Sequence, residues 1–334
     1  PMAVPRRDGD TMTSDWRIGA DRDGGTLGSS RHVIVSEEVR EALAASRGVV
    51  ALESTILCHG FPAEERRPLA SALERAVRDA GSVPATIAVI DGQPCVGLSA
   101  TQLERLLSAE TVVKCSARDV ALVAARGAMG ATTVAGTCLL AAAAGVRVFA
   151  TGGIGGVHRS GERSLDISAD LGALGRYPVL VVSSGAKSLL DLGRTLEVLE
   201  TSNVPVVGYD TDDFPSFYSR TSGFLVPHRV NDARGAALAF ALQGHLGLAG
   251  GMLLCNPPPA IAALNRDEVD GWIVQALRDA AAARIAGAAL TPFVLSALAR
   301  HSAGRTVRTN RALALDNARV AGLVATALAA LGSE

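Results

Sequence analysis

Lysine is almost missing from this chain: of its 32 basic residues only Lys114 and Lys187 are lysine, and the rest are arginine. Aromatic residues make up just 4%, too few for the base-stacking platforms of single-strand nucleic-acid binders. No charge of one sign prevails, since the net charge is −1, and this removes the electrostatic basis for nucleic-acid binding. The longest apolar stretch, 131–146, is too short and too rich in Gly and Thr to cross a bilayer. No basic-then-apolar leader is seen, so export is not expected. The five cysteines (Cys58, Cys95, Cys115, Cys138, Cys255) include no CxxC pair, which argues against zinc or a disulfide framework and fits reduced thiols in the cytoplasm. With 48% hydrophobic and 19% charged residues, the chain is expected to be a well-packed α/β protein directed at a small molecule, with neither nucleic acid nor membrane as partner.

Residues 1–30 carry no apolar periodicity and are rich in Gly, Asp, Arg and Ser; they read as a flexible extension, with Met12 a candidate start. One large domain is expected over 31–334, its order beginning where Ser36 can cap a helix through Leu43. Short apolar runs at 49–53, 85–90, 112–115, 146–150, 179–183, 205–209 and 252–255 predict strands. Helical spacing over 68–80, 101–107, 117–126 and 137–144, and near 187–201 and 232–244, separates them. The last third (267–286, 292–301, 306–331) reads as alanine- and leucine-rich helix. Strands alternating with helices predict an α/β layered fold.

In such sheets ligands gather at the carboxyl ends of the strands. Glu53, Lys114, Thr151 and the Ser183–Lys187 turn all stand at expected strand ends, so one rim should hold a carboxylate and both lysines. Lysine matters here because a desolvated amine can lose its proton and attack a carbonyl, whereas arginine stays charged. The run TGGIGGVHR (151–159) falls short of the dinucleotide fingerprint because His158 occupies a glycine position. SGAKS likewise lacks the P-loop glycine, at Ala186. Four glycines in that run still imply backbone bent close to a ligand or to neighbouring chain. In DISAD (166–170), Ser168 can cap a helix whose free N–H groups suit an anion, and Asp166 can hold a hard divalent cation; simple capping with a solvated Asp is the plainer reading. Cys58 and His59 are adjacent, so their side chains diverge and no nucleophile pair is expected there.

The blocks ALESTILCHGFP, VPATIAVIDG, GATTVAGT, RVFATGGIGGVHR, DISADL, GAKSLLDL, PVVGYDTDDFPSFYSRTS, CNPPP, TPF and NRALALDNA, in this order over about 36–330, resemble the pseudouridine-5'-phosphate glycosidase family, also called indigoidine synthase A-like. The resemblance implies a three-layer α/β/α fold with a central mostly parallel or mixed sheet and a helical C-terminal third. It implies a homotrimer, a Mn2+ ion, and reversible cleavage of pseudouridine 5'-phosphate to uracil and ribose 5-phosphate, which run in reverse is a hydro-lyase (pseudouridylate synthase) reaction. Carried over residue by residue, Glu53 becomes the proton donor and Lys187 the nucleophile. Lys114, Val134, Ser168, Ala169 and Asp170 become substrate contacts, and Asp166 the metal ligand. Thr151, His158 and Asn310 are implied pocket residues. The chain departs from the family after Gly60, where Phe61-Pro62-Ala63-Glu64-Glu65 lacks the expected asparagine and second proline, and at Ala117, commonly arginine; the first departure bears on base recognition.

These residue types suit the reaction. The bond to be broken joins ribose C1' to C5 of uracil, so protonating a leaving oxygen or nitrogen is no help; a lysine amine bonded to the opened sugar supplies the electron sink instead, with Glu53 as acid/base. Burial or a nearby cation is needed to leave such an amine neutral. The alternatives are a Schiff-base lyase or C-glycosidase on another phosphorylated sugar, a non-catalytic sugar-phosphate sensor, and an accessory protein of pigment synthesis.

Overall fold

The computed structural model describes residues 32–159, 165–285 and 290–332; the expected extension over 1–30 lies outside the described residues. The chain enters through β1 (Ile34–Val35) and α1 (Glu37–Ala44), where the Ser36 hydroxyl accepts from the Val39 N–H as its position suggests. Wholly buried β2 (Val49–Glu53) leads into α2 (Thr55–His59) and α3 (Ala63–Asp79). β3 (Val83–Ile90) turns through Asp91-Gly92, both at positive φ, into β4 (Gln93–Val96). Then follow α4 (Ala100–Ser108), β5 (Val113–Cys115), a 3-10 turn over Ala117–Asp119 with α5 (Val120–Ala125), β6 (Gly130–Thr132), α6 (Val134–Ala143) and β7 (Val148–Ala150). The second half holds β8 (Val157–His158), α7 (Ala169–Arg176), β9 (Leu180–Ser183), β10 (Leu190–Asp191), α8 (Leu192–Thr201), β11 (Val206–Tyr209), β12 (His228–Val230), α9 (Ala233–His245) and β13 (Met252–Cys255). Three helices close the described chain: α10 (Arg266–Ala282), α11 (Leu290–His301) and the long α12 (Arg305–Leu331).

Eleven strands form one mixed sheet, with main order β1-β4-β3-β2-β7-β9-β13-β11-β12. From β3 through β12 every neighbouring pair is parallel, and β2, β3, β7, β9 and β13 are buried along their whole length, as a sheet covered on both faces requires. A hydrophobic core running from Val39 to Leu328 fills both layers. α12 is long and apolar enough to cross a membrane, but half of its most apolar stretch is buried, and it packs on α3, α9 and the centre of the sheet. It is a core helix.

The expected α/β architecture with a central, mostly parallel mixed sheet and a helical C-terminal third is what forms. Differences are local. α3 begins a turn earlier than the spacing predicts, taking Pro68 into its first turns, where the missing N–H deprives the helix of one hydrogen bond. The stretch expected to be helical from 187 is first a turn and the short β10, which pairs antiparallel with β8; the helix starts at Leu192 on an Asp191 cap. β1, β4, β6, β8, β10 and β12 lie outside the apolar runs that predict strands.

Candidate functional site

Parallel β2, β7, β9 and β13 end at one edge of the sheet, and this fixes where Glu53, Thr151, Ser184 and Asn256 emerge. Glu53 is the last residue of β2 and only 8% exposed. Its carboxylate accepts a short hydrogen bond from the Thr151 hydroxyl, one residue beyond β7. The following Ser54 hydroxyl donates to the Ile87 carbonyl at 2.7 Å and accepts the Thr132 N–H at 2.8 Å, which locks this strand end against β3 and β6.

The two Gly-rich segments run side by side. Thr151 N–H donates to Val182, Ser184 N–H to Gly152, Ile154 N–H to Gly185 and Lys187 N–H to Ile154, so the 151–154 and 184–187 turns are laced together by backbone bonds. Their glycines are demanded by this chain's own packing. A Cβ on Gly153 would enter the Phe217 ring, one on Gly155 would meet Ser168 and Asp170, and Gly185 sits at φ +68° against the Pro215 carbonyl. Lys187, half-buried at the end of this turn, faces Glu53 closely enough for its charge to act on that carboxyl.

Lys114 arrives by a different route from the one expected. It lies within β5, which pairs parallel with β6, while β6 runs antiparallel to β3; Lys114 is therefore not at the carboxyl end of a strand in the main parallel set. The branch nevertheless folds over the same edge, and Lys114 feels Lys187, Asp170 and Glu53. The electrostatics follow from this crowding. Burial pushes the Glu53 carboxyl up; Lys187, the Thr151 hydrogen bond and Lys114 pull it down, and Asp170 pushes it up again. Lys114 is exposed, yet partial desolvation pushes its amine down, the neighbouring Lys187 cation pushes further, and Asp170 and Glu53 oppose both. His59, set aside from the sequence, stands at this rim: burial, then the charges of Lys114 and Arg66, push its imidazole down.

Two helix N-termini meet beside this cluster. Thr133 caps α6, whose first residue is Val134, and Ser168 caps α7, whose first residue is Ala169. Asp170 joins them: buried, it accepts the Ala135 N–H at 3.0 Å and the Gly155 N–H at 2.8 Å. Both of its oxygens are thus taken by backbone donors. Positive helix ends side by side form an anion-favouring spot.

His158 and Asp166 lie across a short bridge, with the His158 N–H donating to the Asp166 carbonyl at 3.0 Å and 3.9 Å between Nε2 and the carboxylate. Asp166 is 43% exposed, and no group of three His, Cys, Asp or Glu that could cage a metal exists among the described residues. A single accessible carboxylate fits a hard cation that keeps most of its water shell. Asn310, on α12, points a buried carbonyl oxygen with no hydrogen-bond partner towards Gly152, whose missing Cβ would stand 3.4 Å away. A cavity of about 400 Å³ lies apart from this cluster, against Ser188 and Arg159, the chain neighbours of Lys187 and His158.

Sequence reasoning missed the buried amides Asn256 and Asn317, which hold the strand exits from behind. The blocks CNPPP and NRALALDNA contained them without indicating what they touch. The five cysteines are all free and buried, and burial pushes each thiol up, Cys58 and Cys95 to about 11, so none offers a ready thiolate.

Comparison with known proteins bears on the fold and the family. A pseudouridine-5'-phosphate glycosidase of Herpetosiphon aurantiacus is 52% identical over 296 residues, covering 89% of this chain and 98% of its own. One from Chloroflexus aurantiacus is 50% identical over 302 residues, covering 89% and 99%. Among solved structures, the prealnumycin C-glycosynthase in complex with ribulose 5-phosphate superposes with a TM-score of 0.85 at 43% identity, over 91% of this chain and 99% of that one. An indigoidine synthase A-like protein of Thermotoga maritima gives 0.82 at 30% identity, over 93% and 100%. The model of the "Indigoidine synthase A like protein" family matches residues 38–327, and the chain belongs to that family.

Proposed function

We propose that this protein is a pseudouridine-5'-phosphate glycosidase, reversibly converting pseudouridine 5'-phosphate and water to uracil and ribose 5-phosphate. The observation that carries the reading is the convergence of a buried carboxyl, Glu53, with the chain's only two lysines at one end of the sheet. The names of the relatives, and the sugar phosphate held by the C-glycosynthase, support it.

In this reading the phosphate sits at the N-termini of α6 and α7, against Val134, Ser168 and Ala169, with Lys114 as counter-charge. Asp170 keeps those termini together. Remote binding of this kind holds the sugar in register for the chemistry. The neutral amine of Lys187 forms a bond to C1' as the C1'–O4' bond breaks, and the ring oxygen leaves with a proton from Glu53. The ammonium so formed passes its proton to the Glu53 carboxylate, which delivers it to C5 of uracil; the freed nitrogen lone pair then forms C1'=N+, the C1'–C5 bond breaks, and its electrons restore the C5=C6 bond of uracil. Water then hydrolyses the iminium, freeing ribose 5-phosphate and the lysine. A carboxyl pushed up by burial is suited to giving the first proton, and Thr151 keeps it oriented. In this reading the orphaned acceptor on Asn310 and the His158 ring would be further substrate contacts. Asp166 would hold a Mn2+ ion, which would order water and substrate oxygens. A homotrimer of one-domain subunits and a reducing, cytoplasmic setting, in keeping with five unpaired thiols, belong to the same reading.

Mixing uracil with ribose 5-phosphate should yield pseudouridine 5'-phosphate, and borohydride with ribose 5-phosphate should fix one sugar on Lys187. Absence of product sinks the activity; a sugar on any other residue, or on none, sinks the mechanism. A second reading, C–C bond chemistry on another phosphorylated sugar, is favoured by the ribulose 5-phosphate complex and by the altered Phe61–Glu65 loop. Product with a base or sugar other than these, formed faster, would establish it.

A further inference from the structure

Asn317 is 0% exposed, yet both its amide oxygen and its amide nitrogen are hydrogen-bonded. Its amide nitrogen donates to the Thr151 carbonyl at 2.8 Å and comes within 3.3 Å of both the Gly152 carbonyl and the Ser184 hydroxyl. Its carbonyl oxygen accepts from the Asn256 amide at 3.0 Å, and the same Asn256 nitrogen donates to Asp316 at 2.9 Å. These partners stand just past three neighbouring strands: Thr151 and Gly152 after β7, Ser184 after β9, Asn256 after β13. One buried amide therefore spans all three exits, adding a side-chain tie to the backbone bonds that already join them.

What those exits carry makes the tie consequential. Thr151 is the residue whose hydroxyl donates to Glu53. Ser184 opens the turn that ends in Lys187 and is itself bonded to Gly152 through its N–H. A displacement at Asn317 is thus felt at both groups: the hydroxyl on the acid/base, and the turn under the nucleophile. We infer that Asn317 is a positioning residue for the reaction, holding the Thr151 hydroxyl on Glu53 and the Lys187 turn opposite it. The inference rests on the proposed roles of Glu53 and Lys187. The charged groups around the network are Asp316, paired with Arg319 at 2.8 Å, and Glu53 through Thr151; Tyr209 of β11 lies in the field of the first two.

A purely structural amide and a positioning amide differ in one readout, the ionisation of Glu53. The Thr151 hydrogen bond favours the carboxylate, so loosening it moves the Glu53 titration upward. The experiment follows that titration by 13C NMR of carboxyl-labelled enzyme, with Glu53→Gln to assign the signal, in wild type, Thr151→Val, Asn317→Ala and the double variant. Upward shifts of similar size in both single variants, and no further shift in the double, are expected. Turnover in Asn317→Ala should fall by about tenfold to a hundredfold, the usual effect of a misplaced reacting group. Asn317→Asp is the second test and covers a failure of the alanine variant to fold. Its side chain can donate to the Thr151 carbonyl only while protonated, so its rate relative to wild type should recover as pH falls. A Glu53 titration unmoved in Asn317→Ala, or a relative rate in Asn317→Asp that is flat with pH, overturns the inference. Because the NMR titration needs no turnover, a wild type that makes no product counts against the proposed function alone.

Discussion

Asp170→Asn removes one charge and leaves the shape unchanged, which makes its consequences calculable. The wild-type carboxylate is buried and accepts backbone N–H groups from both sides, Ala135 at 3.0 Å and Gly155 at 2.8 Å. An asparagine keeps one acceptor and turns an NH2 group toward the other donor. Losing a charge-assisted bond costs about 1.5–3 kcal/mol and a stranded buried N–H about 1–3 kcal/mol more, so about 4 kcal/mol is expected. With an unfolding entropy of ~2.1 cal/mol/K per residue, the 334-residue chain should melt about 6 °C lower. The charge effect has a definite sign. Asp170 raises both the Glu53 carboxyl and the Lys114 amine, so both should titrate lower in the variant. This is the opposite direction from loss of the Thr151 bond, so loosening and charge removal are separable. Differential scanning calorimetry gives the melting point, and NMR of labelled carboxyl and amine groups gives the titrations. A melting point within about 1 °C of wild type would refute the argument that both oxygens carry stability. A Glu53 titration that rises would refute the electrostatic half.

Glu53→Gln should bind ribose 5-phosphate while losing about two or more orders of magnitude in turnover, read by calorimetry and product formation; retained turnover removes Glu53 from the chemistry. The same variant should change stability with a known sign. A carboxyl raised by burial contributes fully below its ordinary value near 4.5 and loses that contribution as pH rises through the folded value, so Glu53→Gln should gain on wild type in urea melts as pH rises from 4 to 8. Chelation should reduce activity and Mn2+ restore it, and Asp166→Asn should require more metal for half-restoration while melting as wild type does, given the exposure of that side chain. Full activity after thorough metal removal would dismiss the ion.

Much of this arrangement is written locally. Apolar runs bounded by turn residues mark β2, β9 and β13 to within a residue, and a carboxylate ending VVALE is already a group at a sheet edge before any folding is considered. The scarcity of lysine singles out Lys114 and Lys187, and the Ser168 cap follows from DISAD by spacing alone. Pairing direction is another matter. That Lys114 reaches the cluster from an antiparallel branch depends on β6 choosing β3 as its neighbour, a contact between Ala88 and Ala131 that no local pattern announces. Asp170 reads as a substrate contact only through the resemblance; that it is a buried strut is not legible, because its donors come from residues 35 and 15 positions away. Asn317 draws its meaning from Thr151, 166 positions earlier. Side-chain period and capping are short-range steric facts and survive in the bare sequence, whereas a buried polar group's role is set by whichever donors the packed chain brings to it.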